Sequence, residues 1–173
     1  MGLKMRLKCA VVGGAVTLAM SSLVAYPAQA DSRPPAGYVE VDMPADLEIV
    51  EATPASTENP APSAAAASKT ASHPCLGVTA VYGSTGCFQP YGDLVWSQDT
   101  EADGHSSVTV VHANYDRPDY ACVNTGKVGS WGSCNKDYRE DGDVRLTVLR
   151  YDMQDKKWYQ PQATSDWAPV DGQ

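Results

Sequence analysis

The sequence has 173 residues, with 21 acidic and 13 basic side chains and a formal net charge of −8. This acidic balance, together with the lack of any long Lys/Arg run, argues against binding to the phosphate backbone of nucleic acid. Aromatic residues make up 8% of the chain and Phe88 is the single phenylalanine, so most large rings are Tyr or Trp, whose polar groups need a partner.

Residues 1–30 have the pattern of a secretory signal peptide. Basic residues precede an apolar run over residues 9–24, and small residues near position 30 match a cleavage site. The run is broken by glycines and serines and is short for a membrane span, so we favour cleavage over anchoring. Cleavage removes three basic residues and no acidic ones, which changes the formal net charge from −8 to −11. We therefore expect a secreted, extracellular protein without membrane association after cleavage.

Residues 31–74 are rich in Ala, Pro, Ser and Thr and carry more acidic than basic side chains. Such a segment has too little apolar surface to offset the entropy lost on ordering it, so we predict a disordered acidic spacer. One patch, residues 37–52, departs from this composition because its apolar residues alternate: Val39, Val41, Leu47 and Ile49. The alternation leaves a second interpretation open, in which the patch adds a strand to a sheet edge.

Residues 75–173 are predicted to form the folded domain. No sustained helical apolar period occurs there, and Gly/Asp turns separate short runs of strand-forming residues. The predicted strands are residues 77–82, 93–98, 106–115, 143–152 and 157–160. We therefore predict an all-β fold, a small antiparallel β-sandwich or barrel with two disulfides, preceded by the disordered spacer.

The longest β-branched run, residues 106–115, places Val108 and Val110 on one face and Thr109 and Val111 on the other. Apolar residues on both faces predict a strand that is covered on both sides. His112 lies in the same strand, and we interpret it as a hydrogen-bonded structural residue.

The four cysteines that remain after cleavage predict two disulfides, since an even number in an exported domain is typical of a disulfide framework. Three pairings are possible. We favour the local pairs Cys75–Cys87 and Cys122–Cys134, because each encloses eleven residues that include turn-forming glycines. Each bridge would stabilise the domain by roughly 3 kcal/mol. A zinc site is the alternative, but the cysteine spacing is longer than that of structural zinc sites.

An acidic turn follows the second predicted strand and resembles the first half of a calcium loop. Its carboxylates stand at alternate positions, Asp99, Glu101 and Asp103, and Gly104 follows them. A complete loop needs a glutamate at its twelfth position, where Val110 stands instead. We favour an ordinary polar turn, with weak calcium binding as the alternative, and no other cofactor is indicated.

No catalytic motif is present in the folded domain. The chain has no G-x-S-x-G nucleophile elbow, and it has so many acidic residues that no one pair of carboxylates stands out as the pair of a glycoside hydrolase. A domain of this size also has little room for a deep cleft. We therefore predict a protein that is not an enzyme.

Exposed aromatic rings are the best candidates for a binding surface, because planar rings can stack on sugars or anchor a protein partner. The candidates are Trp131, Trp96, Tyr91 and Tyr120. Trp131 is flanked by glycine and serine, which offer little to bury an indole, so we expect it to be the most exposed of them. The other interpretation is that many of these rings fill a core that is poor in Phe and Ile.

Three segments resemble the landmarks of small exported β proteins from streptomycetes and related actinobacteria: CFQPYGD at 87–93, the D-T-x-A-D-G turn at 99–104, and C-V-N-x-G-x-V-G-S-W-x-x-C-N at 122–135. The resemblance covers the folded domain. That group carries no assigned activity, so the resemblance implies an exported, disulfide-bonded β domain and no catalytic residue. Val123 stands where the resemblance leads us to expect a basic residue.

The function that we favour is a secreted, non-catalytic binding or interaction module, expected to be a monomer, for an extracellular glycan or protein. The alternative is a secreted inhibitor or toxin-like effector that acts on a protein target. In that case the segment 113–120, stiffened by Pro118, would enter the partner's site.

Overall fold

A computed structural model describes residues 39–63 and 74–173. The predicted signal peptide, residues 1–30, lies outside the described residues, as do residues 31–38 and 64–73 of the predicted spacer. Within the described ranges, no helix is long and apolar enough to cross a membrane.

The described residues form twelve strands. In chain order these are β1 (Glu40–Val41), β2 (Glu48–Glu51), β3 (Thr53–Pro54), β4 (Leu76–Val81), β5 (Ser84–Gln89), β6 (Leu94–Asp99), β7 (Ser106–Ala113), β8 (Tyr120–Asn124), β9 (Trp131–Asn135), β10 (Asp143–Asp152), β11 (Lys157–Thr164) and β12 (Ala168–Pro169).

The strands form two sheets that pack face to face. The seven-stranded sheet has the order β1-β11-β10-β7-β8-β2, with β12 also paired to β10, and the five-stranded sheet has the order β3-β9-β6-β5-β4. All pairings are antiparallel except that of β2 with β8. The prediction of an all-β fold with two packed sheets and two disulfides is confirmed.

The main core lies between the two sheets and is built by strand alternation. Phe88 and Val95 of the five-stranded sheet pack there with Val111, Val144 and Leu146 of the seven-stranded sheet. Polar links also cross the core: the Thr109 hydroxyl donates to the Trp96 carbonyl oxygen at 2.9 Å.

A second apolar cluster covers the outer face of the seven-stranded sheet. Its buried members are Val108, Val110, Ala121, Val123, Leu149, Tyr151 and Trp158. Because Val111 of β7 belongs to the inner core and Val108 and Val110 belong to this outer cluster, β7 is covered on both sides, as predicted. Val123 is fully buried in the same cluster, so an uncharged residue suits this position.

Residues 39–63 form an N-terminal strap that runs around the sandwich. β1 and β2 lie at opposite ends of the strand order in the seven-stranded sheet, and β3 lies at the edge of the five-stranded sheet. Between β1 and β2 the strap packs Val41, Met43 and Leu47 against the outer apolar cluster. It thus crosses one outer face, forms both edges of the seven-stranded sheet and forms one edge of the five-stranded sheet.

The strap corrects the prediction that all of residues 31–74 form a spacer before a domain that starts at 75. Residues 40–54 contain three strands, which agrees with the second interpretation of the patch 37–52. The prediction of a disordered spacer from composition was wrong for residues 40–54, because composition gives only the apolar surface of the segment itself. The few apolar side chains of the strap bury surface that the rest of the domain supplies, and its backbone bonds to existing strand edges.

Both predicted disulfides are confirmed. Cys75–Cys87 joins the start of β4 to β5 within one sheet, with a Cα–Cα distance of 5.5 Å. Cys122–Cys134 joins β8 to β9, and therefore one sheet to the other, with a Cα–Cα distance of 5.8 Å.

Candidate functional site

A cleft of about 630 Å³ lies on the outer face of the five-stranded sheet. One wall is the strap, through residues 53–54, 56 and 58–63. The sheet and the turn between β5 and β6 supply the rest: Gln89, Tyr91, Gly92, Leu94, Trp96, Ser133 and Asn135. The size of the cleft is within the range of ligand-binding sites in proteins.

Strand alternation selects the residues that face this cleft. Phe88, Val95 and Cys134 point into the core between the sheets. Their chain neighbours must therefore point outward, and these are Gln89, Leu94, Trp96, Ser133 and Asn135.

Tyr91 stands at the rim of the cleft on the turn that joins β5 to β6, with 71% of its surface exposed. The turn needs two left-handed residues, Gly92 with φ of 84° and Asp93 with φ of 51°. Asp93 adopts this conformation without a glycine because its backbone N–H donates to the Pro90 carbonyl oxygen at 3.2 Å and its Oδ2 accepts from the Tyr138 N–H at 3.2 Å.

Two side-chain amides hold the backbone of this turn in place. Gln89 Nε2 donates to the Tyr91 carbonyl oxygen at 3.0 Å, and Asn135 Nδ2 donates to the Gly92 carbonyl oxygen at 2.7 Å. Gln89 Oε1 in turn accepts from the Trp96 indole N–H at 3.2 Å. The ring of Tyr91 is therefore carried on a turn whose carbonyl groups are held by side chains of β5 and β9.

Trp96 and Trp131 support the cleft rather than present a free ring face. Trp96 is fully buried, and its ring meets that of Trp131 edge to face with centroids 6.4 Å apart. Trp131 is half-buried and packs with Ala55 of the strap on the same apolar cluster, and the Ala55 N–H donates to the Trp131 carbonyl oxygen at 3.0 Å. The expectation that Trp131 is the most exposed ring is therefore wrong, because the strap covers it.

Tyr120 lies away from the cleft, in the core between the sheets, with only 2% of its surface exposed. Its ring stacks on that of Tyr138 at a centroid distance of 6.3 Å, and burial raises the pKa of the Tyr120 phenol. Arg117 lies over the other ring of this pair, 4.3 Å from the Tyr138 centroid. Tyr120 is thus a core residue and does not belong to the candidate site.

The acidic turn is held by an arginine. Asp103 Oδ2 lies 2.7 Å from Arg150 Nη1, and both side chains are nearly fully buried. Asp99 is also buried: its Oδ1 accepts from the Glu101 N–H at 3.0 Å, and burial raises the pKa of its carboxyl group. The described residues contain no group of three or more His, Cys, Asp or Glu side chains that could hold a metal ion. Asp103 is engaged with the buried guanidinium of Arg150, which neutralises its charge.

His112 is hydrogen-bonded through both ring nitrogens, as predicted for a structural residue. Its Nδ1 lies 2.6 Å from Asp119 Oδ2 and its Nε2 lies 3.1 Å from Thr147 Oγ1. The Thr147 hydroxyl also pairs with that of Thr164 at 2.8 Å. Because Thr147 is only 8% exposed and its hydroxyl is engaged on both sides, this chain of contacts ties three strands and one loop together.

The segment 113–120, which the effector hypothesis would use, is fastened at both ends. Asn114 exchanges hydrogen bonds with Asp143, from its side-chain amide to Oδ2 at 2.7 Å and from the Asp143 N–H to Asn114 Oδ1 at 3.0 Å. At the other end Asp119 contacts His112.

A second, smaller groove of about 530 Å³ lies between β4 and residues 164–169. Trp167 lines it with 45% of its surface exposed, and the Arg145 guanidinium lies 4.9 Å from the Trp167 ring centroid. Trp167 is not among the four rings selected from the sequence.

No protein-family model matches the chain, and no curated protein or solved structure is significantly similar to it. Of the four predicted ligand-binding rings, the structure places Tyr91 and Trp96 at the cleft and Trp131 behind it. The sequence did not predict the strap wall of the cleft or the role of the Gln89 and Asn135 amides. For the amides, the P-Y-G-D turn at 90–93, which they hold, was the available signal.

Proposed function

We propose that this protein is an exported, non-catalytic binding module whose ligand occupies the cleft between the strap and the five-stranded sheet. Two disulfides support an oxidising, extracellular location, and so does the signal-peptide pattern of residues 1–30. The ligand belongs to the two classes named from the sequence, an extracellular glycan or protein. The acidic net charge disfavours nucleic acid.

The exposed ring of Tyr91, carried on a turn whose backbone is held by hydrogen bonds, is the observation that carries this proposal. An aromatic side chain that is 71% exposed buries little apolar surface in the core. Two side-chain amides and the buried indole of Trp96 nevertheless hold the turn that carries it. A ring on a held backbone loses less conformational entropy when a ligand stacks on it than a ring on a mobile loop. Such preorganisation is typical of a binding anchor.

Replacement of Tyr91 by alanine tests the proposal. The mature chain is incubated with purified cell wall, insoluble polysaccharides and the secreted protein fraction, and the bound protein is measured. We expect Tyr91→Ala to lose binding while its Tm stays within about 2 °C of the wild type, because the side chain is mostly exposed.

Trp167→Ala is the matched control, since it removes another exposed ring from a different groove. This variant should bind like the wild type. Equal binding by Tyr91→Ala and the wild type would contradict the proposed site. The inhibitor or effector hypothesis stays a prediction, and a panel of proteases inhibited by the wild-type protein would favour it.

A further inference from the structure

We infer that the ligand of the cleft is an uncharged polysaccharide, an inference that rests on the proposed binding function. The carrying observation is the chemistry of the lining: among the described residues, Glu58 is the only lining side chain that is charged at neutral pH. The remaining polar side chains are amides and hydroxyls, set beside proline and aromatic residues.

An anionic ligand fits the cleft poorly. Phosphate, sulfate and carboxylate groups are held in proteins mainly by Arg and Lys, and none of the described residues that line this cleft is Arg or Lys. Lys136, the chain neighbour of the lining residue Asn135, is bound at 2.8 Å to Glu48 of the strap. The acidic net charge of the chain, −8 before and −11 after removal of residues 1–30, repels anions further.

A cationic ligand also fits the cleft poorly, because Glu58 supplies the one carboxylate among the described lining residues. Glu58 is exposed to solvent, where one charge–charge contact contributes little to binding. Within residues 39–63 and 74–173, no second acidic side chain belongs to the lining. Selection of a polycation would need several carboxylates at this place.

The side chains that line the cleft match both the apolar C–H face and the hydroxyl groups of a sugar. The C–H face of a pyranose ring stacks on an aromatic ring, and Tyr91 offers such a ring at the rim. The hydroxyl groups of a sugar need neutral donors and acceptors, which Asn59, Ser133 and Asn135 supply along the cleft.

The strap contributes to this recognition as a shaped wall. Its residues 56–59 close a turn in which the Ser56 N–H donates to the Asn59 carbonyl oxygen at 2.9 Å and the Asn59 N–H donates to Ser56 Oγ at 3.1 Å. The polar wall formed by Ser56, Glu58 and Asn59 therefore has a defined backbone opposite the sheet. A ligand in the cleft would contact both the strap and the sheet.

The test measures partition of the chain without residues 1–30 onto three kinds of polymer. Cellulose, chitin and xylan are the uncharged probes, polygalacturonate is the anionic probe and chitosan is the cationic probe. The variants are Tyr91→Ala, Tyr91→Phe, Glu58→Gln and, as the control, Trp167→Ala. The Tm and near-UV circular dichroism of each variant are recorded to show that it is folded.

We expect retention on at least one uncharged polymer and little change when the salt concentration is raised about ten-fold, since no charge pair is involved. Tyr91→Ala should lower the partition about ten-fold, and Tyr91→Phe should retain it within about two-fold, because stacking depends on the ring. Trp167→Ala should bind like the wild type, and Glu58→Gln should leave the salt dependence of retention unchanged, because the charge of Glu58 is not used.

Two results would overturn the inference and leave the binding function intact. One is retention only on a charged polymer, lost with salt or with Glu58→Gln, while Tyr91→Ala still weakens it. The other is no retention on any polysaccharide, together with Tyr91-dependent binding of a secreted protein. If every variant bound each polymer equally, the proposed function would fail along with the inference.

Discussion

At the scale of single residues, the buried Arg150–Asp103 pair is the most consequential contact. The side chain of Arg150 is fully buried, and it also donates to the Gln160 carbonyl oxygen and lies over the ring of Tyr82. Gly83 packs so closely that an added Cβ would lie 2.4 Å from Arg150 Cδ. The pair therefore fixes the acidic turn to the sheet. Gly83, which has no side chain, leaves room for the arginine side chain.

Asp103→Ala should lower the free energy of unfolding by about 3–5 kcal/mol, because it leaves a buried guanidinium without its counter-charge. Urea unfolding followed by tryptophan fluorescence measures this loss. Asp141→Ala, which removes the exposed pair of Asp141 with Arg139, is the control and should leave stability unchanged within error. Similar stabilities for the two variants would contradict the assigned role of Asp103.

Asp99 makes a pH-dependent contribution whose sign follows from its pKa. Burial raises the pKa of this carboxyl in the folded state, so ionisation costs more in the folded than in the unfolded chain. Its contribution to stability therefore falls as the pH rises from the ordinary value of 3.8 through the raised pKa, and is constant above it.

Asp99→Asn should remove this penalty and still accept the Glu101 N–H through its amide oxygen. The Tm of the variant relative to the wild type should be higher at pH 7 than at pH 3, where the wild-type carboxyl is protonated in both states. Thermal unfolding at the two pH values measures the difference. A Tm difference that does not change with pH would show that the Asp99 penalty is absent.

At the scale of secondary-structure elements, the strap decides whether the sandwich is complete. Without it, β11, β8 and β9 lose a paired neighbour, and the outer apolar cluster loses Val41, Met43 and Leu47. Open edges and an uncovered apolar face favour aggregation.

A chain that begins at residue 64 should therefore have a lower Tm, bind the dye ANS and associate, as measured by dye fluorescence and analytical size exclusion. A chain that begins at residue 39 keeps the whole strap and is the control, expected to behave like the mature protein. If the shorter chain were monomeric and equally stable, the strap would be dispensable for the fold.

At the scale of the whole molecule, the two disulfides differ in what they connect. Both close loops with a sequence separation of 12, so chain entropy alone assigns them equal stabilisation, roughly 3 kcal/mol each. Only Cys122–Cys134 joins the two sheets, and both of its cysteines belong to the core between them.

Replacement of Cys122 and Cys134 together by alanine should therefore lower stability more than replacement of Cys75 and Cys87. The loss for the inter-sheet bridge should exceed the roughly 3 kcal/mol of the entropy estimate, because the core also loses contacts between the sheets. Urea unfolding of the two double variants gives the comparison. Equal losses would mean that loop closure alone accounts for both bridges.

Several strands were missed from the sequence because their residues are those of turns. β5 contains Ser84 and Gly86, which suggest a bend, yet an added Cβ at Gly86 would lie 2.2 Å from Thr109 Oγ1. The same reason applies to Gly132 in β9, where an added Cβ would lie 2.7 Å from the Cβ of Ala52. These glycines permit close packing between elements, which is a tertiary requirement that local propensity does not record.

The sequence by itself determined the all-β class and the alternation of β7, and it favoured the local disulfide pairs, because each depends on residues close together in the chain. The tertiary structure alone decided that the strap covers one apolar face and forms one wall of the cleft. It also decided that Trp131 is covered while Tyr91 is presented. These outcomes depend on which distant segment packs on a given face, since burial is a property of the assembled surface and not of the residue.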